Sequence, residues 1–365
     1  MLQNQKKAWL VLANGTVLEG KSMGCTGTVV GEIVFATGMT GYQETLTDPS
    51  YYGQIVIQTF PLVGNYGINS MDGESQHCWL KGYIVREWCE VPSNFRCEET
   101  LDVFLKQQQV IGLYDVDTRH LTKIIRETGV MNGAITTDEN YVKEALLEQI
   151  HAFSVKDAVK SVTCPQPEEF PSLEHTRKVV LFDFGYKFNI RRELVKRGCD
   201  VTVVPAYTTA EQVKELNPDG IMLSNGPGDP SENVEIVENL KEIMKLNIPI
   251  FGICLGHQLM ALANGAKTEK LKYGHRGANQ PVIDLDLDRT FVTSQNHGYA
   301  VISDSLPKEV GYVSHKNAND SSCEGVRYTH IPAFTVQFHP EACGGPQDTA
   351  YLFDEFIALM DKKEG

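Results

Sequence analysis

The chain has 365 residues, 42% of them hydrophobic and 22% charged, which is enough for more than one core and typical of a globular protein. Its net charge of −14 argues against general attraction to nucleic acid or anionic membranes. No apolar run reaches the roughly 20 residues that span a bilayer, and MLQNQKKAWLVLANG lacks the features of a secretion signal, so a cytoplasmic location is expected.

Residues 1–155 predict a mixed α+β domain. Short apolar runs at Trp9–Leu12, Ile33–Phe35 and Ile55–Ile57 read as strands, and Asn14-Gly15 marks a hairpin before Val17. A helix is expected over 118–128, where Leu121, Ile124 and Ile125 share a face and Gly129 ends it. Another is expected over 139–150. Residues 156–177 read as a linker, since Pro165, Pro167 and Pro171 interrupt a stretch with no apolar period.

From residue 178 to 365 strands and helices alternate. Val179–Phe182 is a continuous apolar run, as in a strand buried on both faces. Further strands are expected at Val201–Val204, Ile221–Leu223 and Ile248–Phe251. Helices fall between them, one opened by a Thr209/Gln212 capping box. This order predicts a doubly wound, mostly parallel α/β sheet with right-handed crossovers. After Ala278 the runs look shorter and glycine-punctuated, and a last helix is expected over 349–360.

The sharpest chemical signal is Gly252-Ile253-Cys254-Leu255-Gly256, a cysteine form of the nucleophile elbow between strand and helix. The helix N-terminus beside the sulfur favours thiolate, and the Leu255 N–H points to where an oxyanion would develop. A buried core cysteine is the alternative. Asn225-Gly226-Pro227-Gly228-Asp229-Pro230 follows another strand end, where α/β sheets bind ligands. Its glycines expose N–H groups, although an ordinary turn would look the same, and no phosphate-loop pattern follows. In His339-Pro340-Glu341 the extended backbone before proline turns the imidazole and carboxylate to one side, as a base and its orienting acid require. Cys254, His257, His339 and Cys343 have the chemistry of zinc ligands, but they sit on the backbones of an elbow and a loop, and no metal is expected. The nine cysteines, with no CxxC pair, do not suggest a disulfide framework.

NGPGDP, FGICLGHQ, TSQNHGYAV and VQFHPEA occur in that order, and the chain resembles the class I (triad) glutamine amidotransferases. In the first half, GEIVFATGMTGYQETLTDPSYYGQIV, GNYGIN, SNFR and DVDTRHLTKIIRETGVMNGAI resemble the glutaminase small subunit of carbamoyl-phosphate synthetase. The resemblance implies a flavodoxin-like C-terminal domain with Cys254 as nucleophile, His339 as base and then acid, and Glu341 as its orienter. It implies that Gly228 and Leu255 donate to the oxyanion, and that Ser50, Gly226, Gln258, Asn296, Gly298 and Tyr299 hold glutamine. Tyr299 stands where phenylalanine is common, and Phe338 and Cys343 vary around the His-Pro-Glu element. The implied partner is a large synthetase subunit carrying ATP and Mg, with no cofactor on this chain and the front domain as docking surface. A stand-alone γ-glutamyl hydrolase or cysteine peptidase would not need that front domain, and a degenerate regulatory subunit would lack part of the triad.

Overall fold

A computed structural model describes residues 6–362. The chain divides into two compact units, Met1–Lys156 and Asp157–Gly365.

The strands of the first unit are β1 Lys7–Leu12, β2 Val17–Gly24, β3 Thr28–Ala36, β4 Gln54–Gln58, β5 Leu62–Val63, β6 Gly82–Ile84, β7 Glu87–Trp88, β8 Ile111–Tyr114 and β9 Met131–Thr136. They build a closed barrel in the order β1-β2-β8-β6-β4-β3-β9, with β5 and β7 paired separately. The β1–β2 hairpin turns where expected: Val11 pairs with Val17, and Gly15 supplies a φ of 82°, which costs glycine little. Ile33 and Val34, neighbours on β3, are both fully buried, so both faces of the barrel wall are covered. Val34 and Val56 pack with Leu46, Leu101 and Leu105 from the helices Tyr42–Thr47 and Leu101–Gln107.

The helix Thr118–Thr128 has the expected bounds. Asp117 caps its start by accepting from the His120 N–H, and Gly129 at φ 95° ends it. The next helix, Lys143–Ala152, begins later than its apolar pattern suggests. Asp138 accepts from the Asn140 N–H at 2.9 Å, and this local turn competes with helix at Glu139 and Asn140.

The second unit carries β10 Glu168–Phe170, β11 Arg177–Asp183, β12 Cys199–Pro205, β13 Gly220–Leu223, β14 Ile250–Ile253, β15 Thr268–Asp284, β16 Arg289–Val301, β17 Gly311–Asn317, β18 Cys323–Tyr328 and β19 Ala333–Val336. They form one 10-stranded sheet in the order β10-β12-β11-β13-β14-β19-β18-β17-β15-β16. Its centre, β12-β11-β13-β14-β19, is parallel, and the flanking strands pair antiparallel.

Successive residues of the central strands enter different cores. Val180, Phe182, Ile221 and Leu223 pack with Val213, Leu240 and Leu259, from the helices Ala210–Leu216, Val234–Met244 and Leu255–Ala263. Val179, Leu181, Met222 and Phe251 pack with Ile190, Leu194, Phe353 and Phe356, from the helices Phe188–Lys196 and Tyr351–Asp361. Helices therefore cover both faces, and each fully buried Leu or Phe side chain contributes roughly 1.5–3 kcal/mol. The Thr209/Gln212 capping box is formed as read.

Two expectations need correction. Segment 156–177 is not free chain: it contains the helix Ala158–Val162 and the edge strand β10 on β12. Its prolines flank β10, where an edge strand tolerates them, and Val159 is buried in the core. Around Ala278 the strands are longer than the runs suggest. β15, which runs through Ala278, and β16 have 17 and 13 residues, and only β17, β18 and β19 fall to 7, 6 and 4.

Candidate active site

Cys254 is the one residue between β14 and the helix Leu255–Ala263, with φ 52° and ψ −103°. A side chain there stores roughly 1–3 kcal/mol of backbone strain, tolerated only where surroundings fix it. Its own N–H donates to Val336 O at 2.9 Å, its carbonyl accepts from Gln258 N at 3.1 Å, and Gly256 N donates to Ser224 O at 2.9 Å. The glycines play a different part from the one the motif suggests. Neither Gly252 nor Gly256 has positive φ. Instead they make room: a Cβ on Gly256 would lie 2.5 Å from Leu223 O, and one on Gly252 2.8 Å from Thr335 Cγ2. Cys254 is 2% exposed, and its Sγ lies 3.7 Å from Asn296 O on β16. Leu255 occupies the first helical position, whose N–H has no acceptor within the helix.

Leu223 pairs with Gly252, so the loop after β13 sits beside the elbow. Within that loop Asn225 is fully buried. It accepts from Lys187 N at 3.0 Å and donates to Gly185 O at 3.0 Å, which braces the loop against the end of β11. Gly228 has a φ of 90°, and a Cβ on Gly226 would strike Phe184 O.

β14 also pairs with β19, Ile253 opposite Val336. The chain leaving β19 is held by His339 N donating to Ser294 O at 2.9 Å. His339 Nδ1 lies 2.7 Å from Glu341 Oε1. A carboxylate only accepts, so Nδ1 carries the proton and the buried Nε2, which makes no hydrogen bond, presents its lone pair. The ammonium of Lys187 reaches the same Glu341 oxygen at 2.6 Å. Burial alone would raise the Glu341 pKa; the charges of Lys187 and His339 outweigh it and pull it down to about 2. Asn189 donates to the Glu341 carbonyl. The sequence does not single out Lys187, which stands past the end of β11, at the start of the helix Phe188–Lys196.

The other histidines near the elbow are poor bases. Burial lowers the His257 pKa to about 3, and its Nδ1 faces Thr335 Oγ1 at 2.8 Å. Burial also holds His297 well below its ordinary value. Gln258 donates to Tyr299 O at 2.8 Å and Gln337 Oε1 at 2.9 Å, tying the elbow helix to β16. Asn296, Gly298 and Tyr299 follow one another on that strand. Ser50 belongs to the first unit, on the turn Pro49–Tyr51 capped by Asp48. A buried thiol at a helix start, with an oriented imidazole on the chain that leaves the adjoining strand, is equipped for acyl transfer.

Comparison with known proteins agrees with this chemistry. Residues 180–359 match the family model of class-I glutamine amidotransferases, the class that the elbow and the His–Glu pair define. Residues 10–135 match the model of the carbamoyl-phosphate synthase small chain, CPSase domain. A carbamoyl phosphate synthase small chain of Clostridium perfringens is 52% identical over 351 residues, 96% of this chain and 99% of the relative. Those of Fusobacterium nucleatum, 52% identical over 96% of this chain and 98% of the relative, and Lactococcus lactis, 50% over 97% and 98%, are similar. The chain belongs to the carbamoyl phosphate synthase small chain family.

Proposed function

We propose that this chain hydrolyses L-glutamine to glutamate and ammonia at Cys254. The ammonia then passes to a large ATP-binding chain that makes carbamoyl phosphate from bicarbonate and ATP. One observation carries the reading: the Cys254 N–H is bonded to Val336 O, three residues before an imidazole whose tautomer Glu341 fixes. In the proposed reaction the Cys254 thiolate adds to the glutamine carboxamide, and the N–H groups of Leu255 and Gly228 receive the oxyanion. His339, having taken the thiol proton, gives it to the departing ammonia. Water deprotonated by His339 then attacks the thioester, releasing glutamate and restoring the sulfur. Gly226, Gln258, Asn296, Gly298 and Tyr299 hold the substrate.

This reaction calls for no metal or cofactor at Cys254, and ATP and Mg belong to the large chain. The first unit serves as the docking part, and the complex works in the cytoplasm. Among the described residues no helix is long and apolar enough to cross a membrane.

Cys254→Ser, assayed in the assembled complex, should lower glutamine-dependent carbamoyl phosphate formation by at least ~10³-fold, as loss of a nucleophile does, while ammonia-dependent formation continues. Persistence of the glutamine-dependent rate would remove Cys254 from its role.

A further inference from the structure

On the antiparallel side of the second unit, His275 of β15, His297 of β16 and Glu324 of β18 bring one ligand atom each to within 4.8 Å of one another, and all three residues are buried. None is among the metal candidates the sequence suggests. Each histidine has one nitrogen committed elsewhere. His275 Nε2 lies 2.8 Å from Asp320 Oδ2, and His297 Nδ1 lies 2.8 Å from Tyr299 O. Both partners accept, so each ring can donate there and keep a lone pair on its other nitrogen. Such backing by carboxylate or carbonyl is how proteins orient metal-binding imidazoles.

Inside the cluster His275 Nδ1 has the Glu324 carboxylate and, at 3.5 Å, the Asn317 amide beside it, but other groups are poorly matched. His297 Nε2 faces another acceptor, Gln295 Oε1, at 3.0 Å. The Glu324 side chain is fully buried; its Oε2 makes no hydrogen bond, and Oε1 receives only the Asn317 amide at 3.0 Å besides the His275 ring. His275 Nδ1 stands 3.4 Å from Glu324 Oε1, close to the ~3.4 Å edge of a tetrahedron with ~2.05 Å metal–ligand bonds. A divalent cation would be neutralised by Glu324 and Asp320, would receive the His297 lone pair, and could take Gln295 Oε1 as a fourth donor. Two imidazoles with oxygen donors suit zinc or its neighbours rather than calcium or magnesium.

We propose that His275, His297 and Glu324 bind one divalent cation of the zinc type, which clamps β15, β16 and β18 together behind the elbow. The proposal does not depend on what Cys254 attacks.

The test uses the full-length protein, stripped with chelator and titrated with Co(II) and Zn(II). We expect about one equivalent bound, with the visible bands of low-coordinate Co(II) and no thiolate-to-metal charge-transfer band. Zn absorption-edge spectra should show only N/O ligands at ~2.0–2.1 Å. His275→Asn and Glu324→Gln should abolish binding while near-UV circular dichroism is kept, and Cys254→Ser should bind as the parent does. Asp320→Asn, at a more exposed position, should fold normally and bind ~10–100-fold more weakly. If the folded parent takes up no stoichiometric metal, a proton shared between His275 and the two carboxylates fills the place and the proposal fails. It fails equally if His275→Asn and Glu324→Gln leave binding intact, if Asp320→Asn binds with parental affinity, or if a thiolate band appears.

Discussion

Oε1 of Glu341 receives both the His339 ring and the Lys187 ammonium, with Lys187 only 7% exposed. Burial works against the ionised carboxylate, and Lys187 and His339 more than offset it. The folded pKa of about 2 lies below the ~4.3 of a free glutamate. The pair therefore adds stability above that free value and loses it as pH falls toward 2. Lys187→Met should leave Glu341 charged and unmatched, at a cost of about 3–5 kcal/mol. The Glu341 pKa should then rise, shifting the acid limb of kcat/KM for glutamine to higher pH. A variant with reduced stability but an unmoved acid limb would assign Lys187 to packing alone. Cys254, His339 and Glu341 stand out in the sequence because their motifs carry distinctive neighbours, although His339-Pro340-Glu341 forms a turn beyond β19, closed by Ala342 N donating to His339 O at 3.3 Å, and not the extended segment expected before proline. Lys187 is not: its role depends on β11 and the chain after β19 meeting across the sheet, and no local pattern records that meeting.

At the scale of elements, the elbow works through close approach. Adding a Cβ at Gly256 brings it 2.5 Å from the backbone oxygen of Leu223, which cannot turn aside, whereas at Gly252 the nearest atom is Thr335 Cγ2 at 2.8 Å and the nearest backbone atom lies at 3.1 Å. Gly256→Ala should cost about 1–3 kcal/mol and lower Tm by several degrees, with Gly252→Ala milder. Calorimetry on the two variants checks the order. The parallel strands announce themselves by unbroken apolar runs, and the Thr209 cap by side-chain chemistry. β15 and β16 do not, because bulges and polar residues such as Lys270 and Lys272 break their alternation. Edge strand β10 hides among prolines for a related reason: only one side of it makes sheet hydrogen bonds.

For the whole molecule, the sequence boundary falls near residue 155 and the contact boundary at Lys156. The second unit holds the elbow and the His339–Glu341–Lys187 set, whereas the barrel of the first has no comparable arrangement among the described residues. The small-chain family to which the protein belongs implies a large-chain partner. The purified chain alone should therefore hydrolyse glutamine slowly, and adding the large chain should raise kcat at least ~10-fold. Equal rates with and without it would point to a self-sufficient hydrolase. The hydrogen bond from Cys254 to Val336 has another consequence, during synthesis. At ~5–20 residues per second the cysteine leaves the ribosome several seconds before the segment that pairs with it. Until β19 zips alongside β14, the sulfur has no imidazole brought up beside it, so glutamine hydrolysis has to await completion of the fold.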